Sequence, residues 1–195
     1  INYIKLDFFN NDALKKAIEN FDLVIGAVPG FMGYKILKTV LDTEKNIVDI
    51  SFMPEDSREL MHLAKKNGVT AITDAGVAPG ISNLLFGKAL FEFDQLHSGH
   101  CYVGGLPQSP QPPWWYKSVF SPIDVIEEYT RPARFVLNGK MITKPAMTDI
   151  EGITFDNIGT LDAFNSDGLR SLLDMPIPNM VEKTLRYPGH IQKII

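Results

Sequence analysis

The sequence has 195 residues, of which 45% are hydrophobic and 22% are charged, so disordered and fibrous classes are excluded. A formal net charge of -4 provides no basic surface for nucleic acid or anionic lipid, and no apolar stretch approaches the roughly 20 residues of a membrane span. We therefore expect neither partner. The single cysteine, Cys101, cannot form an internal disulfide, which favours a reducing, cytoplasmic location.

The first part of the chain alternates between strand-like and helix-like segments. After the strand-like start INYIKLDFF, the pattern predicts strands at 22–28, 46–52 and 69–73 and helices at 33–42, 54–68 and 81–93. Pro54 stands at a predicted helix start and Gly68 at its end. Strands and helices that alternate with short joints are typical of a parallel sheet, so we predict an α/β domain over residues 1–95.

From about residue 97 the pattern changes to many short strands and few helices. Strands are predicted at 101–105, 116–120, 133–143, 152–155 and 182–187, and helices at 121–129 and 167–174. Asn138-Gly139 predicts a hairpin turn, and the proline-rich segment 106–115 predicts an extended loop. We predict an α+β domain with an antiparallel sheet over residues 96–195.

Small residues follow each strand of the predicted parallel sheet, in GAVPG (26–30), DISFMPE (49–55) and DAGVAPG (74–80). Ligands of open parallel sheets bind beyond the carboxyl ends of the strands. Small side chains there leave room for a flat cofactor ring over the backbone. Gly-Pro turns that merely join strands to helices are the alternative, but three such segments at one edge favour a ligand.

Eight motifs, in order along residues 22–191, resemble the saccharopine dehydrogenase-like family, and within it the lysine 6-dehydrogenase branch. They are IGAVPGFMG, VDISFMPE, DAGVAPGISNLL, YVGGLP, YKSVFSP, EEYTRPARFVLNGK, SDGLRSLL and TLRYPGH. The resemblance implies an NAD(P)-dependent oxidoreductase with a Rossmann domain and a second domain for substrate and dimer contacts. We expect NAD as cofactor, with NADP as the alternative, and a homodimer. The cofactor-binding residues it implies are Gly26, Ala27, Val28, Pro29, Ser51, Phe52, Asp74, Val77, Ala78 and Pro79.

The sequence departs from the family at two places. It contains no GxGxxG turn, and INYIKLDFF resembles the third strand of the Rossmann sheet. We therefore expect the first strands and the end of the second domain to lie outside this chain, which is then part of a longer protein and inactive alone. In addition, saccharopine-forming members carry a Tyr, an acid and a Cys at three positions. This sequence has Phe52 in place of the Tyr, Ala78 or Ser82 in place of the acid, and Val103 in place of the Cys.

This second departure favours lysine as the substrate, with hydride moving from its ε-carbon to NAD. A saccharopine or carboxyspermidine-type dehydrogenase of the same family is one alternative. A non-catalytic assembly module that keeps the fold is another.

Removal of hydride from an amine requires the neutral amine, and hence a base or a dry pocket. Asp74, at the end of a predicted strand, is the first candidate base, and a loop-bracing role is as plausible. His190 is a second candidate for proton transfer, with a bracing hydrogen bond as the alternative.

The α-carboxylate of an amino acid is best bound by arginine, whose planar side chain offers paired donors. Arg186 is the first candidate, followed by Arg170 and Arg131, although a surface ion pair is the alternative for each. Tyr116 is a further candidate for substrate binding because it lies in a family motif. His97, His100 and Cys101 lack further ligands at metal-binding spacing, so we predict no metal.

Overall fold

The computed structural model describes residues 2–195 as two compact units, which meet between Gly76 and Val77. The sequence pattern places the domain boundary between residues 95 and 96 instead. Helix α4 (Ile81–Glu92) explains the difference, because its Phe86 and Leu90 pack against the core of the second unit. The predicted roles of the two domains stay predictions.

The first unit contains a three-stranded parallel sheet in the order β1-β2-β3, as the sequence predicts. Its elements are α1 (Asn11–Ile18), β1 (Leu23–Gly26), α2 (Gly30–Asp42), β2 (Asn46–Asp49), a 3-10 turn (Ser57–Leu60), α3 (Met61–Asn67) and β3 (Ala71–Ile72). Apolar residues of α2 form the centre of its core, with Leu37, Val40 and Leu41 fully buried beside Ile47 of β2. This packing holds the carboxyl ends of β1 and β2 at one edge.

Three predictions for the first unit need correction. Residues 2–7 form no strand, and Ile1 lies outside the described residues. The pattern did not predict α1, whose Asn10 caps it by accepting a hydrogen bond from Ala13 N. The helix predicted from Pro54 begins later because Asp56 accepts from Arg58 N and starts the 3-10 turn there, whereas Gly68 ends α3 in the left-handed conformation as expected.

The second unit is built on a six-stranded sheet in the order β6-β5-β9-β8-β7, with β4 paired to β9. After α4 come β4 (Gly99–Val103), α5 (Pro122–Thr130), β5 (Ala133–Leu137), β6 (Lys140–Lys144), β7 (Glu151–Phe155), β8 (Gly159–Asn165), a 3-10 turn (Arg170–Asp174), β9 (Met180–Arg186) and α6 (Ile191–Ile194). The hairpin turn at Asn138-Gly139 joins β5 to β6 and confirms that prediction.

The sheet of the second unit differs from the prediction in three respects. β4 runs parallel to β9, so the sheet is mixed rather than purely antiparallel. The pattern missed β8, and it predicted a strand at 116–120 where the chain forms a bend. Tertiary contacts set this bend, because Trp115 has a φ of 55° and the Tyr116 ring stacks on a guanidinium group instead of joining a ladder.

Segment 167–174 contains a 3-10 turn where the pattern predicts an α-helix. Segment 106–115 has no regular structure, as predicted. Ser121 and Pro122 begin α5 as expected, but the Ser121 side chain makes no capping hydrogen bond. Within residues 2–195, each helix is too short or too polar to cross a bilayer.

Candidate functional site

The carboxyl edge of the parallel sheet is organised around a buried acid, Asp49, the last residue of β2. Asp49 is paired in register with Gly26, the last residue of β1. A Cβ atom on Gly26 would overlap the Asp49 carboxylate, so only glycine leaves room for this acid. The structure therefore gives Gly26 a packing role against Asp49.

Ser51 connects the ends of the two strands at this edge. Its backbone N–H and its hydroxyl donate to the Asp49 carboxylate at 2.8 and 3.2 Å, and its Oγ accepts from Val28 N at 3.4 Å. Burial raises the pKa of Asp49, the hydrogen bonds from Ser51 oppose that rise, and nearby Asp74 adds to it. Sequence reasoning missed Asp49, although an acid within the apolar run NIVDISF was a usable signal.

The remaining residues of this edge are among those predicted to bind the cofactor. Ala27 is exposed, whereas Val28 and Pro29 are half-buried. Helix α2 begins directly after them without a side-chain cap, so the positive end of its dipole faces this edge. Small side chains and a helix N-terminus are the features that a ribose or phosphate group requires. Ser51 is buried and Phe52 half-buried beside them.

Asp74 follows β3 and adopts a left-handed backbone conformation with a φ of 54°. Its side chain is half-buried, and the next residue, Ala75, donates its N–H to the carbonyl of Asp49 at 3.1 Å. Asp74 therefore lies next to the β2 end, where its charge acts on Asp49.

Val77, Ala78 and Pro79 belong to the second unit, where they lead into α4. Val77 is exposed, Ala78 half-buried and Pro79 buried. The turn is fixed by Asn83, whose side chain accepts from Gly80 N at 3.0 Å and donates to Ser171 Oγ at 2.8 Å.

Arg186 of β9 is the centre of a polar cluster in the second unit. Its side chain is 2% exposed and its Nη2 forms an ion pair with Glu128 Oε2 at 2.7 Å. Nε donates to the Tyr129 hydroxyl at 2.9 Å, and the guanidinium lies 4.1 Å from the centre of the Tyr116 ring. The predicted alternative of a surface ion pair is wrong for Arg186, because the pair is buried.

His190 joins the same cluster, and both of its ring nitrogens have partners. Nε2 lies 2.8 Å from the Tyr129 hydroxyl and Nδ1 lies 2.6 Å from the carbonyl oxygen of Trp114. Burial lowers the pKa of His190, and the Arg186 charge adds to this effect while the Trp114 carbonyl opposes it. The neutral ring thus bridges the 106–120 loop and α5.

The Tyr116 hydroxyl is buried and has no hydrogen-bond partner among the described residues. Burial raises its pKa, and the charge of Arg186 opposes that rise. Buried polar atoms are normally satisfied, so an unpartnered hydroxyl beside a buried cation is the group in this cluster most ready to bind a ligand. The structure thus brings together three residues that the sequence predicts separately, Tyr116, Arg186 and His190.

Arg131 and Arg170 are the other two arginines predicted to bind the substrate. Arg131 follows α5 and pairs with Glu127 one turn earlier. Arg170 is buried at the start of a 3-10 turn, with a φ of 48°. Across residues 2–195, no three His, Cys, Asp or Glu side chains are grouped to hold a metal ion.

Sequence reasoning missed several buried or half-buried polar residues of the second unit. Glu128 and Tyr129 of α5 bond to Arg186, and Asp167 binds Arg134 through both carboxylate oxygens at 2.8 Å. Glu182 of β9 is buried, and its Oε2 has no partner among residues 2–195. Acids inside strand-like or helical patterns, such as EKTLRY, were the only signal for them.

Two family descriptions match the chain in sequence. Residues 1–72 match the saccharopine dehydrogenase NADP binding domain, and residues 76–195 match the saccharopine dehydrogenase C-terminal domain. The two matches meet near the boundary between the compact units.

Similar proteins agree with these matches. The chain is 28% identical over 205 residues to saccharopine dehydrogenase (NADP(+), L-glutamate-forming) of Pyricularia oryzae, covering 98% of this chain and 45% of that protein. It is 30% identical over 137 residues to the mitochondrial alpha-aminoadipic semialdehyde synthase of Rattus norvegicus, covering 67% of this chain and 15% of that protein. The chain therefore spans less than half the length of these relatives.

A solved structure gives the same result. The apo saccharopine dehydrogenase (L-Glu forming) of Saccharomyces cerevisiae superposes with a TM-score of 0.75 at 26% identity, covering 96% of this chain and 45% of that chain. The order of a parallel sheet followed by a mixed-sheet unit is thus the order of a known dehydrogenase fold.

Proposed function

Because this chain belongs to the saccharopine dehydrogenase family, we propose that it forms the nucleotide-binding edge and the amino-acid unit of an NADP(H)-dependent oxidoreductase of lysine metabolism. The observation that carries the proposal is the edge at β1 and β2, where Ser51 joins Asp49 to Val28 beside the start of α2. NADP comes before NAD in this proposal because residues 1–72 match an NADP binding domain.

In this proposal the bound nicotinamide dinucleotide accepts or supplies the hydride. Residues 26–29, Ser51 and Phe52 hold the cofactor against the sheet edge. Ser51 is fixed by the buried Asp49, so its hydroxyl and the Val28 amide form a rigid rim. A rigid rim orients a ring with little loss of entropy on binding.

The substrate in this proposal is an amino acid that is oxidised or formed at a carbon–nitrogen bond. The cluster of Tyr116, Arg186 and His190 supplies its α-carboxylate site, with the Tyr116 hydroxyl as the direct donor and Arg186 as the charge behind it. Arg131 and Arg170 are alternative contacts. Asp74 and His190 stay candidates for proton transfer, with His190 acting through Tyr129.

Oxidation of L-lysine at its ε-carbon is the first candidate reaction. Phe52 and Val103 carry no ionisable group at positions where saccharopine-forming members carry a Tyr and a Cys. Cleavage of saccharopine is the second candidate, favoured by the likeness to the Pyricularia oryzae enzyme that carries that name. A homodimer that shares the second unit is part of the proposal.

A substrate panel tests the proposal. Reduction of NADP+ and of NAD+ by the full-length protein is followed by absorbance with L-lysine, saccharopine and L-norleucine, which has the carbon chain of lysine without the ε-amine. We expect reduction of NADP+ with L-lysine and none with norleucine. Reduction with saccharopine alone would replace the first reaction by the second, and no reduction with any amine would favour a non-catalytic module.

A matched pair of variants locates the cofactor. Ser51→Ala removes the hydroxyl that bonds to Val28 N and Asp49, and it should raise the KM for NADP+. Ser57→Ala removes a hydroxyl that bonds only to Thr73 among the contacts of this unit and should leave that KM unchanged. Equal effects of the two substitutions would contradict the placement of the cofactor.

A further inference from the structure

Glu182 is an acid in the middle of β9, and one of its carboxyl oxygens lacks the partner that its burial requires. The residue is 5% exposed, and Oε2 has no hydrogen-bond partner among the described residues. The carboxyl group packs directly on the backbone of Gly168, where a Cβ atom would overlap it. A buried polar atom without a partner costs about 1–3 kcal/mol, so its persistence indicates a ligand.

The surroundings of Glu182 are acidic. Glu128 of α5 and Asp167 beyond β8 both act on it with like charge, and Cys101 of β4, its register partner, is a neutral thiol in contact with it. Each of these two acids has its own cation, since Arg186 binds Glu128 and Arg134 binds Asp167. No ion pair with Glu182 is formed anywhere in residues 2–195.

The position of Glu182 relative to Arg186 suits a substrate with charge at both ends. Alternate residues of a strand point to the same face, so Glu182, Thr184 and Arg186 form one row on β9. Four residues of strand span about 13 Å between Cα atoms. A diamino acid whose carboxylate binds at the Tyr116–Arg186 cluster would extend along this row toward Glu182.

We propose that Glu182 binds the terminal amino group of the substrate amine and takes a proton from it. This inference rests on the proposed function and adds a residue to the amino-acid site. On binding, the Glu182 carboxylic acid releases its proton to solvent, and the carboxylate so formed accepts the proton of the substrate ammonium, which leaves a neutral amine and a neutral carboxylic acid. Glu182 would thus supply the neutral amine that oxidation at the adjacent carbon requires.

The chemistry of the site supports this role. Burial raises the pKa of Glu182 to about 8, with the charges of Glu128 and Asp167 as further causes and the Cys101 contact opposing them. A carboxyl with this pKa can exchange a proton with an amine near neutral pH, which an ordinary exposed Glu does not do. Burial also raises the pKa of the Cys101 thiol to about 12, so Cys101 does not compete as the base.

Proton release on ligand binding tests the inference without turnover. Below the pKa of Glu182, binding of L-lysine beside it should release about one proton to the buffer, because one of the two titratable groups must give up its proton. Calorimetry at neutral pH in two buffers of different ionisation enthalpy measures this release. L-norleucine, which lacks the terminal amine, should release none.

Variants decide between a binding and a structural role. In Glu182→Gln we expect no proton release and at least tenfold weaker binding of L-lysine, with norleucine binding unchanged. Glu182→Asp should retain the proton release with weaker binding, which guards against a folding defect in the first variant. Thermal unfolding of both variants serves as the folding control.

Two results would overturn the inference. The first is that Glu182→Gln binds L-lysine as tightly as the unsubstituted protein and releases as many protons. The second is that the unsubstituted protein does not bind L-lysine, or binds it without releasing a proton. Failure of the proposed function has a different signature. Lysine binding and its Glu182-dependent proton release would then persist without any reduction of NADP+ or NAD+.

Discussion

Arg186 and Glu128 form a buried ion pair, with 2.7 Å between Nη2 and Oε2, that fixes α5 to the end of β9. Two tyrosines flank the guanidinium, at 4.1 Å for Tyr116 and 5.5 Å for Tyr129. Burial raises the pKa of Glu128, and the ion pair with Arg186 opposes that rise. The charge of each partner is therefore tolerated only because the other is present.

Arg186→Met should be strongly destabilising for this reason. Removal of one partner of a buried ion pair leaves an uncompensated charge, which costs about 3–5 kcal/mol. Urea unfolding measures the loss. The double variant Arg186→Met, Glu128→Gln should recover part of it, because no buried charge is then left alone.

The matched control is Lys88→Met, which breaks the exposed pair with Glu92 across one turn of α4. Exposed pairs of this kind contribute about 0.3–0.5 kcal/mol. A cost for Arg186→Met no greater than that of Lys88→Met would contradict the account of the cluster.

Gly26→Ala should destabilise the first unit because its new methyl group meets the Asp49 carboxylate. Such overpacking costs about 1–3 kcal/mol. In an Asp49→Ala background the cost of Gly26→Ala should shrink, since the obstructing carboxylate is gone. A double-mutant cycle by denaturant unfolding measures this coupling.

Gly87→Ala is the control for this substitution. Gly87 lies inside α4, and a Cβ atom there meets nothing within 4 Å. Alanine is favoured over glycine within a helix by about 0.5–1 kcal/mol, so this variant should be more stable than the parent protein. Equal costs at Gly26 and Gly87 would rule out the packing role of Gly26.

Glu182 should make stability depend on pH in a defined window. Its pKa is about 8 in the folded protein and has an ordinary value of 4.5, so the folded state holds this proton to higher pH. Stability from this group is therefore complete below about pH 4.5 and falls as pH rises to about 8. Glu182→Gln should gain stability relative to the parent across this window, and chemical unfolding at several pH values measures the difference. A difference that stays constant with pH would refute the raised pKa.

Tyr116→Phe should separate ligand binding from stability. The hydroxyl has no partner within residues 2–195, so its removal should leave the free energy of unfolding unchanged or raise it by up to about 1 kcal/mol. The KM for the amino acid should nevertheless rise, because the proposed carboxylate donor is lost. Steady-state kinetics and urea unfolding of one preparation give both values.

Tyr187→Phe is the companion variant. The Tyr187 hydroxyl donates to the carbonyl of Pro107 at 3.1 Å, so its loss should cost about 0.5–1.5 kcal/mol and leave the KM unchanged. A KM that rises in Tyr187→Phe and stays unchanged in Tyr116→Phe would place the ligand contact elsewhere.

The sequence allowed prediction of those elements whose signals are local. Alternation of apolar runs predicted β1, β2, β3 and their parallel order, and Asn138-Gly139 predicted the β5–β6 turn because few other residues tolerate the left-handed backbone there. Prediction from the sequence failed where contacts between residues far apart in the chain set the local structure. The bend at 116–120 follows the stacking of Tyr116 on Arg186, far along the chain.

The candidate site shows the same division between local and distant signals. Tyr116, Arg186 and His190 were found through motifs, and they lie together. Glu128, Asp49 and Glu182 were missed because an acid within a helical or strand-like pattern usually faces solvent. Tertiary packing buries Asp49 and Glu182 and partly covers Glu128. Whether the predicted residues contact the cofactor or substrate stays a prediction.

NMR titration of the protein with NADP+ tests the central claim most directly. If the edge at β1 and β2 binds the cofactor, the amide signals of residues 26–32 and 50–52 should shift together with one dissociation constant, and NAD+ should need a higher concentration for the same shifts. No shift of these amides under saturating NADP+, or shifts confined to other surfaces of the protein, would contradict the account.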